Sequence, residues 1–241
     1  MVDFTGVKAL TIPEGDVVKI TSGDTVLWEK ITSRLPSEYQ EVEYIEMTGT
    51  QGVLYDEPIL DITELVYTFS VSSFTSSYIS GTYYQDTSSP VSFMSSRLSG
   101  SGKRLDIYFV DNSNHVSSPT LSENTVYTVS IKVDMQKLTC SLNLIQNDTV
   151  VTTKTSTFNS FTFTSSYSFG VGCNGYLLQA RTEKSLSGKF YSHQHKRNGV
   201  IVRDFKPCYR KSDGVIGIYD IVSKTFFTNA GTGNFTKGAD V

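Results

Sequence analysis

Short runs of alternating apolar and polar residues, each closed by a polar turn, recur along the chain, while helical spacing at i, i+3, i+4 and i+7 is sustained nowhere. A chain patterned this way folds as β-structure. The clearest instance lies near the end, where Lys189 to Arg197 and Val200 to Lys206 flank Asn198-Gly199, a pair that tolerates the positive φ values of a two-residue hairpin turn. A second hairpin is predicted from Val215 to Tyr219 and Thr225 to Thr228, joined across Asp220 to Lys224. In the middle, TVYTVSIKVD followed by MQKLTCSLN predicts a third. There Val129, Ile131 and Val133 share one face of the first strand, and Leu138, Cys140 and Leu142 form the alternating set of the second.

Further strands are predicted at Val42 to Met47, Leu65 to Ser70, Tyr78 to Thr82, Val91 to Ser95, Leu105 to Val110, Thr149 to Thr153 and Ser168 to Cys173. So many short strands joined by polar turns imply an all-β, two-sheet sandwich. The side chains agree: 14 Tyr, 14 Phe and abundant Thr suit pleated surfaces, while Ser and Gly populate turns. Ser95 to Arg104, Asp111 to Leu121 and Thr155 to Ser160 are polar enough to read as long loops, the places where a binding surface would vary.

The 241 residues accommodate one large β-domain and a small appendage. Residues 1–31 predict that appendage, a meander of Val7 to Ile12, Val17 to Thr21 and Thr25 to Glu29, with turns at Pro13-Glu14-Gly15 and Ser22-Gly23-Asp24. Three strands of this size bury little surface alone, so the meander must lean on something larger, with Trp28 as its anchor. Ile31 to Pro36 is a polar junction, and the main domain is expected over 35–241.

Charge and cysteine content exclude several classes. A formal net charge of -3 gives no global attraction to nucleic acid or an anionic membrane. Three cysteines, Cys140, Cys173 and Cys208, with no C-x-x-C spacing suggest neither a disulfide framework nor a zinc site. No apolar run approaches the roughly 20 residues that span a bilayer, and no export signal follows Met1, so a soluble chain made in a cytoplasm is expected.

Two segments carry a resemblance. LPSEYQEVEYIEMTGTQ at Leu35 to Gln51 and RDFKPCYRKSDGVIGIYDIVSKTFFTNAGTG at Arg203 to Gly233 bracket the main domain and resemble a family found in phages, prophages and gut Firmicutes. The resemblance implies a concanavalin A-like jelly-roll sandwich and a virion structural or adhesion role, as a tail, fibre or capsid-decorating component. It also implies partners among other virion proteins reached through the N-terminal module, a homo-oligomer, and a location in the virion. One departure is GVLYDEPIL after Gly49-Thr50-Gln51, where relatives continue an extended run; a changed second strand is expected there.

Candidate chemistry is sparse. Glu41, Glu43 and Glu46 have the spacing of the paired-carboxylate strand of glucanases with this fold, where retaining hydrolysis needs carboxyls roughly 5 Å apart. The competing reading places them on the solvent face of an early strand, with Val42 and Tyr44 inward, and it is preferred because no tryptophan platform stands nearby. His193 and His195 share a strand face; with no carboxylate before Asp204, a solvated or interfacial pair is favoured over a metal site. Lys189, Lys196, Arg197, Arg203, Lys206, Arg210 and Lys211 surround them, and alternation distributes these charges over both faces. Asp111, Asn112, Ser113 and Asn114 offer oxygen ligands for Ca²⁺, against the commoner reading of a self-capping turn, so no cofactor is assigned. Cys208 sits near Arg203 and Arg210, which favours a thiolate, but a buried structural role is preferred.

Two functions follow. The first is a non-catalytic module, structural or glycan-binding, in which the aromatics Tyr83, Tyr84 and Tyr176 stack on sugar from the loops. The alternative is a glycoside hydrolase working through Glu41, Glu43 and Glu46.

Overall fold

Antiparallel pairing of alternating strands organises the protein, and a computed structural model describes it over residues 19–22, 25–29, 35–57, 62–85, 90–109, 111–159, 167–176, 179–181 and 184–241. The chain divides into two units, Met1–Arg34 and Leu35–Val241. In the first, β1 (Lys19–Ser22) and β2 (Thr25–Glu29) pair from Lys19 opposite Glu29 to Ser22 opposite Thr25. The expected strand at Val7 to Ile12 and the Trp28 side chain lie outside the described residues.

The second unit is all-β among its described residues. Its strands begin with β3 (Tyr39–Glu41), β4 (Ile45–Thr48), β5 (Val53–Glu57), β6 (Glu64–Val71), β7 (Ser77–Gln85), β8 (Pro90–Ser99), β9 (Arg104–Phe109) and β10 (Asp111–Ser117). They continue with β11 (Tyr127–Asp134), β12 (Thr139–Gln146), β13 (Thr149–Thr157), β14 (Tyr167–Val171), β15 (Asn174–Tyr176) and β16 (Gln179–Arg181). The last are β17 (Ser187–Arg197), β18 (Val200–Arg210), β19 (Ile216–Asp220), β20 (Thr225–Phe227) and β21 (Thr236–Lys237). The smaller sheet runs β10-β9-β8-β7-β14-β5, with β15 and β16 attached beside β7. The larger runs β13-β12-β11-β6-β17-β18-β19-β20, with β3 on β18 and β4 between β17 and β21.

Alternation explains why these sheets stack. On β6 the buried Leu65, Tyr67 and Phe69 alternate with the half-buried Glu64, Val66 and Thr68, and on β11 Val129, Ile131 and Val133 do the same. The smaller sheet answers with Val53, Tyr55, Ile79, Ile107 and Phe169, all in one core with them. Removing each such side chain from water contributes about 1.5–3 kcal/mol, and β12 adds Cys140, Leu142 and Leu144 opposite Val133, Ile131 and Val129.

The three predicted hairpins are present. Asn198 and Gly199 have φ of 48° and 83°, and Arg197 faces Val200 across the turn. β17 is the central strand: Gly188 to Phe190 lie between β4 and β6, and His193 to Arg197 lie against β18. Beyond Phe205, β18 turns to β19 and β3 instead. Thus β3 and β4 fill the place where β17 and β18 part. A side chain at Gly188 would put its Cβ 2.0 Å from the Ser70 carbonyl oxygen, so only glycine admits this approach.

Two expectations need correction. Val42 to Met47 is two strands, because buried Val42 turns to bridge Asp240 and the Glu43 N–H donates to Ala239 O, 2.9 Å away. The three long loops are mostly strand: β8 reaches Ser99, β9 starts at Arg104, β10 covers Asp111 to Ser117, and β13 reaches Thr157. Serine was the misleading signal, since Ser95 and Ser96 are buried in a strand whose register shifts opposite Gly81. Within GVLYDEPIL, Val53–Glu57 is strand β5, paired with β14.

Candidate functional site

Residues that alternate with the core of the larger sheet form its outer face, and they are polar. Glu64, Lys132 and Lys196 are aligned across three adjacent strands, Lys132 opposite Glu64 and Glu64 opposite Lys196. The Glu64 carboxylate accepts from Ser130 Oγ at 2.8 Å and lies 3.4 Å from Lys196 Nζ and 3.9 Å from Lys132 Nζ. Where this row meets the β11–β12 turn and the Asn198-Gly199 turn, a groove of about 1000 Å³ opens, floored by Thr63, Glu64, Lys132, Thr139 and Ser141. Asp134 stands at one wall, where its Oδ1 accepts the N–H groups of Gln136 and Lys137 at 3.0 and 2.9 Å. Those bonds and the Lys137 ammonium hold its carboxyl below the usual range.

Five residues back along β17, about 17 Å at strand rise, the same face carries aromatics. Tyr44 and Tyr191 meet edge to face with ring centroids 5.5 Å apart, and Lys189 Nζ sits 4.1 Å from the Tyr44 centroid. Between these ends Gln194 donates to Asp204 at 3.0 Å. Sugar recognition needs this combination, apolar ring surface beside side chains that donate and accept hydrogen bonds.

The two segments that carry the family resemblance meet at the other end of β4. Gln51, only 3% exposed, accepts from the Thr48 N–H at 2.8 Å and donates to Asn234 O at 3.3 Å. Asn229 Oδ1 accepts from the Gly52 and Gly231 N–H groups at 3.1 and 2.9 Å, while its Nδ2 donates to Gly233 O at 2.9 Å. Thr-Gly-Thr-Gln and Thr-Asn-Ala-Gly-Thr-Gly are therefore halves of a clasp. Asn229→Ala is expected to lower stability by about 1–3 kcal/mol, because backbone groups lose their partner; urea unfolding of the variant measures it.

The histidines overturn an expectation. His193 and His195 do share a face, but it is the inner one, and both are 0% exposed. The β17 bulge between Phe190 and Ser192 continues the inward series Gly188, Phe190 into His193 and His195, so these residues pack where apolar ones belong. Tyr55 Oη and His195 Nε2 are 2.6 Å apart, and Ser80 Oγ and His193 Nε2 are 3.2 Å apart. Neither Nδ1 has a partner among the described residues. Burial holds His193 down at about 3, and burial with the neighbouring His193, Arg203 and Arg197 holds His195 well below its ordinary value. Among the described residues no group of three His, Cys, Asp or Glu side chains is placed to hold a metal.

The other predicted residues are scattered. Glu41 pairs with Cys208 on β3, Glu43 is exposed between strands, and Glu46 on β4 pairs with Lys189 and accepts from Thr236 Oγ1. None of the three lines the groove. Tyr83, Tyr84 and Tyr176 are strand residues of β7 and β15 in the smaller sheet, not loop residues, and their side chains lie outside the described part. Asp111, Asn112 and Asn114 belong to strand β10, whose register shifts before His115; their side chains also lie outside it. Cys140 and Cys208 are buried, and burial with the Glu41 charge pushes Cys208 up to about 12, against an easily formed thiolate.

The charged segment around β17 and β18 divides between the faces. Lys189 and Lys196 are outward, whereas Arg203 turns to the inner rim and pairs with the fully buried Asp220 at 2.9 Å. No sequence signal announced the groove, because its floor comes from residues 64, 132 and 141 on three strands, and only register brings them together.

No protein-family model matches the chain, and no curated protein matches its sequence. Among solved structures, a Bacteroides ovatus protein described as carbohydrate-binding superposes with a TM-score of 0.53 at 14% identity, covering 84% of this chain and 62% of that one. The CBM40 module of Ruminococcus gnavus IT-sialidase, solved with α2,3-sialyllactose, gives 0.47 at 16% identity over 67% and 92%. The SAP-like pentraxin of Limulus polyphemus gives 0.45 at 13% over 65% and 76%. At such identities the likeness is one of fold, and the second unit is an all-β sandwich of two sheets of mainly antiparallel strands.

Proposed function

We propose that the sandwich is a non-catalytic carbohydrate-binding module whose ligand lies along β17 on the outer face of the larger sheet. The observation that carries this is the groove of about 1000 Å³, floored by hydroxyl, carboxylate and ammonium groups and continued along the same face to the Tyr44–Tyr191 pair. The likeness in fold to the Bacteroides ovatus protein supports it. The separation of tyrosines and groove suits an extended oligosaccharide better than a single sugar. On an oligosaccharide array, wild-type protein is expected to bind and Tyr191→Ala to lose about tenfold in affinity, roughly 1.4 kcal/mol; an array without hits rejects the reading.

The wider role proposed is that of a phage virion adhesion or structural protein, with residues 1–34 attaching the sandwich to other virion proteins or to copies of itself. It rests on the segments Leu35 to Gln51 and Arg203 to Gly233, which form the clasp and so belong to one structural unit. Solution mass with and without residues 1–34 tests it, an oligomer lost on truncation being the expected result. The hydrolase alternative has no geometric support, since Glu41, Glu43 and Glu46 are divided between two strands with different partners and the turn joining them. Retained β-glucan hydrolysis, lost in both Glu41→Gln and Glu46→Gln, would restore it.

A further inference from the structure

The sequence holds two Asn-Gly pairs, and the fold treats them in opposite ways. Asn174-Gly175 lies on β15, where Asn174 is 0% exposed and its Nδ2 donates to Ser95 Oγ at 2.9 Å. Backbone closes over the next residue, because a Cβ at Gly175 would stand 2.0 Å from the Ser168 carbonyl oxygen. Asn198-Gly199 is the tip of the β17–β18 hairpin, and both residues are exposed. Among the described residues no hydrogen bond holds the Asn198 carboxamide; it is the Asn198 N–H that donates, to Thr63 Oγ1 at 2.8 Å. The Gly199 N–H lies beyond the last ladder pair, Arg197 opposite Val200, with no backbone partner among the described residues. Nothing stands within 4 Å of where a Gly199 Cβ would be.

We propose that Asn198 is a site of spontaneous deamidation and that the fold protects Asn174 from the same reaction. The Gly199 N–H gives its proton to hydroxide, and its nitrogen bonds to Asn198 Cγ. The Cγ–Nδ2 bond then breaks, and the carboxamide nitrogen leaves as ammonia after taking a proton from water. A second water opens the cyclic imide at either carbonyl, leaving aspartate or isoaspartate. Glycine favours the attack because it sets no side chain beside the nitrogen. The turn must open for the two atoms to meet, and a hairpin tip opens at far lower cost than a buried strand, which is released only when the sheet comes apart. Conversion places a carboxylate on the wall of a groove lined by Lys132 and Lys137, so the chain passes with time from one charge form to a second.

Incubation of the full chain at pH 8.5, followed by digestion and peptide mass mapping, tests this. The peptide holding Asn198 is expected to gain about 1 Da and to separate into aspartate and isoaspartate forms, faster at pH 8.5 than at pH 6. The Asn174 peptide is expected to convert at least about tenfold more slowly. In guanidinium chloride the two rates should converge, which assigns the difference to folding. Asn198→Gln, which would need a larger imide ring, should lose most of the acidic form that the wild type develops on ion exchange. Absence of conversion at Asn198 in the folded chain overturns the proposal, whatever the unfolded chain does. Equal conversion of the two asparagines in the folded chain overturns the protection, and an acidic form that persists undiminished in Asn198→Gln overturns the assignment to this turn.

Discussion

Stability of the sandwich is expected to fall steeply as pH drops below about 6.5. His193 and His195 are neutral in the fold and chargeable in the unfolded chain, so the unfolded state binds more protons below the ordinary histidine value. Stabilisation from the neutral pair is complete above pH 6.5. It is lost as pH falls, down to about 3, where His193 itself would protonate within the fold. Each histidine contributes a slope of about 1.4 kcal/mol per pH unit, and a domain has only about 5–15 kcal/mol in total. The groups facing the pair offer no compensation, because Tyr55 and Ser80 are neutral and Arg203 repels a new positive charge. Urea unfolding followed by circular dichroism from pH 8 to pH 4 measures the slope. The double variant His193→Gln, His195→Gln should flatten it above pH 4.5, and an equal slope in wild type and variant would assign the linkage to other groups.

The second large effect is expected at Asp220. Although burial alone would raise its carboxyl, hydrogen bonds from Ser223, the Asp204 N–H, Arg203 and the Val222 N–H hold it below the usual range. Its side chain is 0% exposed, and it anchors both the β19–β20 turn and the Arg203 guanidinium at 2.9 Å. Asp220→Ala takes the buried carboxylate away from Arg203 and frees three backbone N–H groups, a loss of about 3–5 kcal/mol. Asp220→Asn keeps the shape and part of the bonding, so it should lose less. Denaturation midpoints of the two variants, compared at pH 8 where the histidine effect is absent, separate charge from shape. Equal losses would mean that the hydrogen-bonded shape, and not the ion pair, holds the turn.

Local chemistry was legible in the sequence wherever a turn decided it. Asn198-Gly199, the β11–β12 alternation and the turn that Asp220 opens were predicted with the partners they have. Orientation was less legible. A strand such as β17, with Lys189, Gln194 and Lys196 on one face and Phe190, His193 and His195 on the other, shows a bulge that shifts the period, and histidine alone does not say which face is wet. Serine-rich strands failed for a related reason: Ser95 and Ser96 are buried where composition predicts a loop. The groove was the least accessible of all, because strands distant in sequence meet there only through long-range pairing. Residue type was not the obstacle; adjacency was.

The Gln40 Nε2 donates to Val241 O at 3.0 Å, and the Val241 N–H donates to Glu41 O at 3.1 Å, beside the bridge between Val42 and Asp240. The segment that opens the sandwich and the segment up to Val241 thus lie side by side at its surface, and the strands between them trace nearly a ring. Such a ring can be spliced into the loop of another protein with both junctions at one point, or reopened at the Asn147-Asp148 turn, without altering which strands are neighbours. The order of strands along the gene is then one of several that would specify the same object, and the polar outer face along β17 would survive the rearrangement.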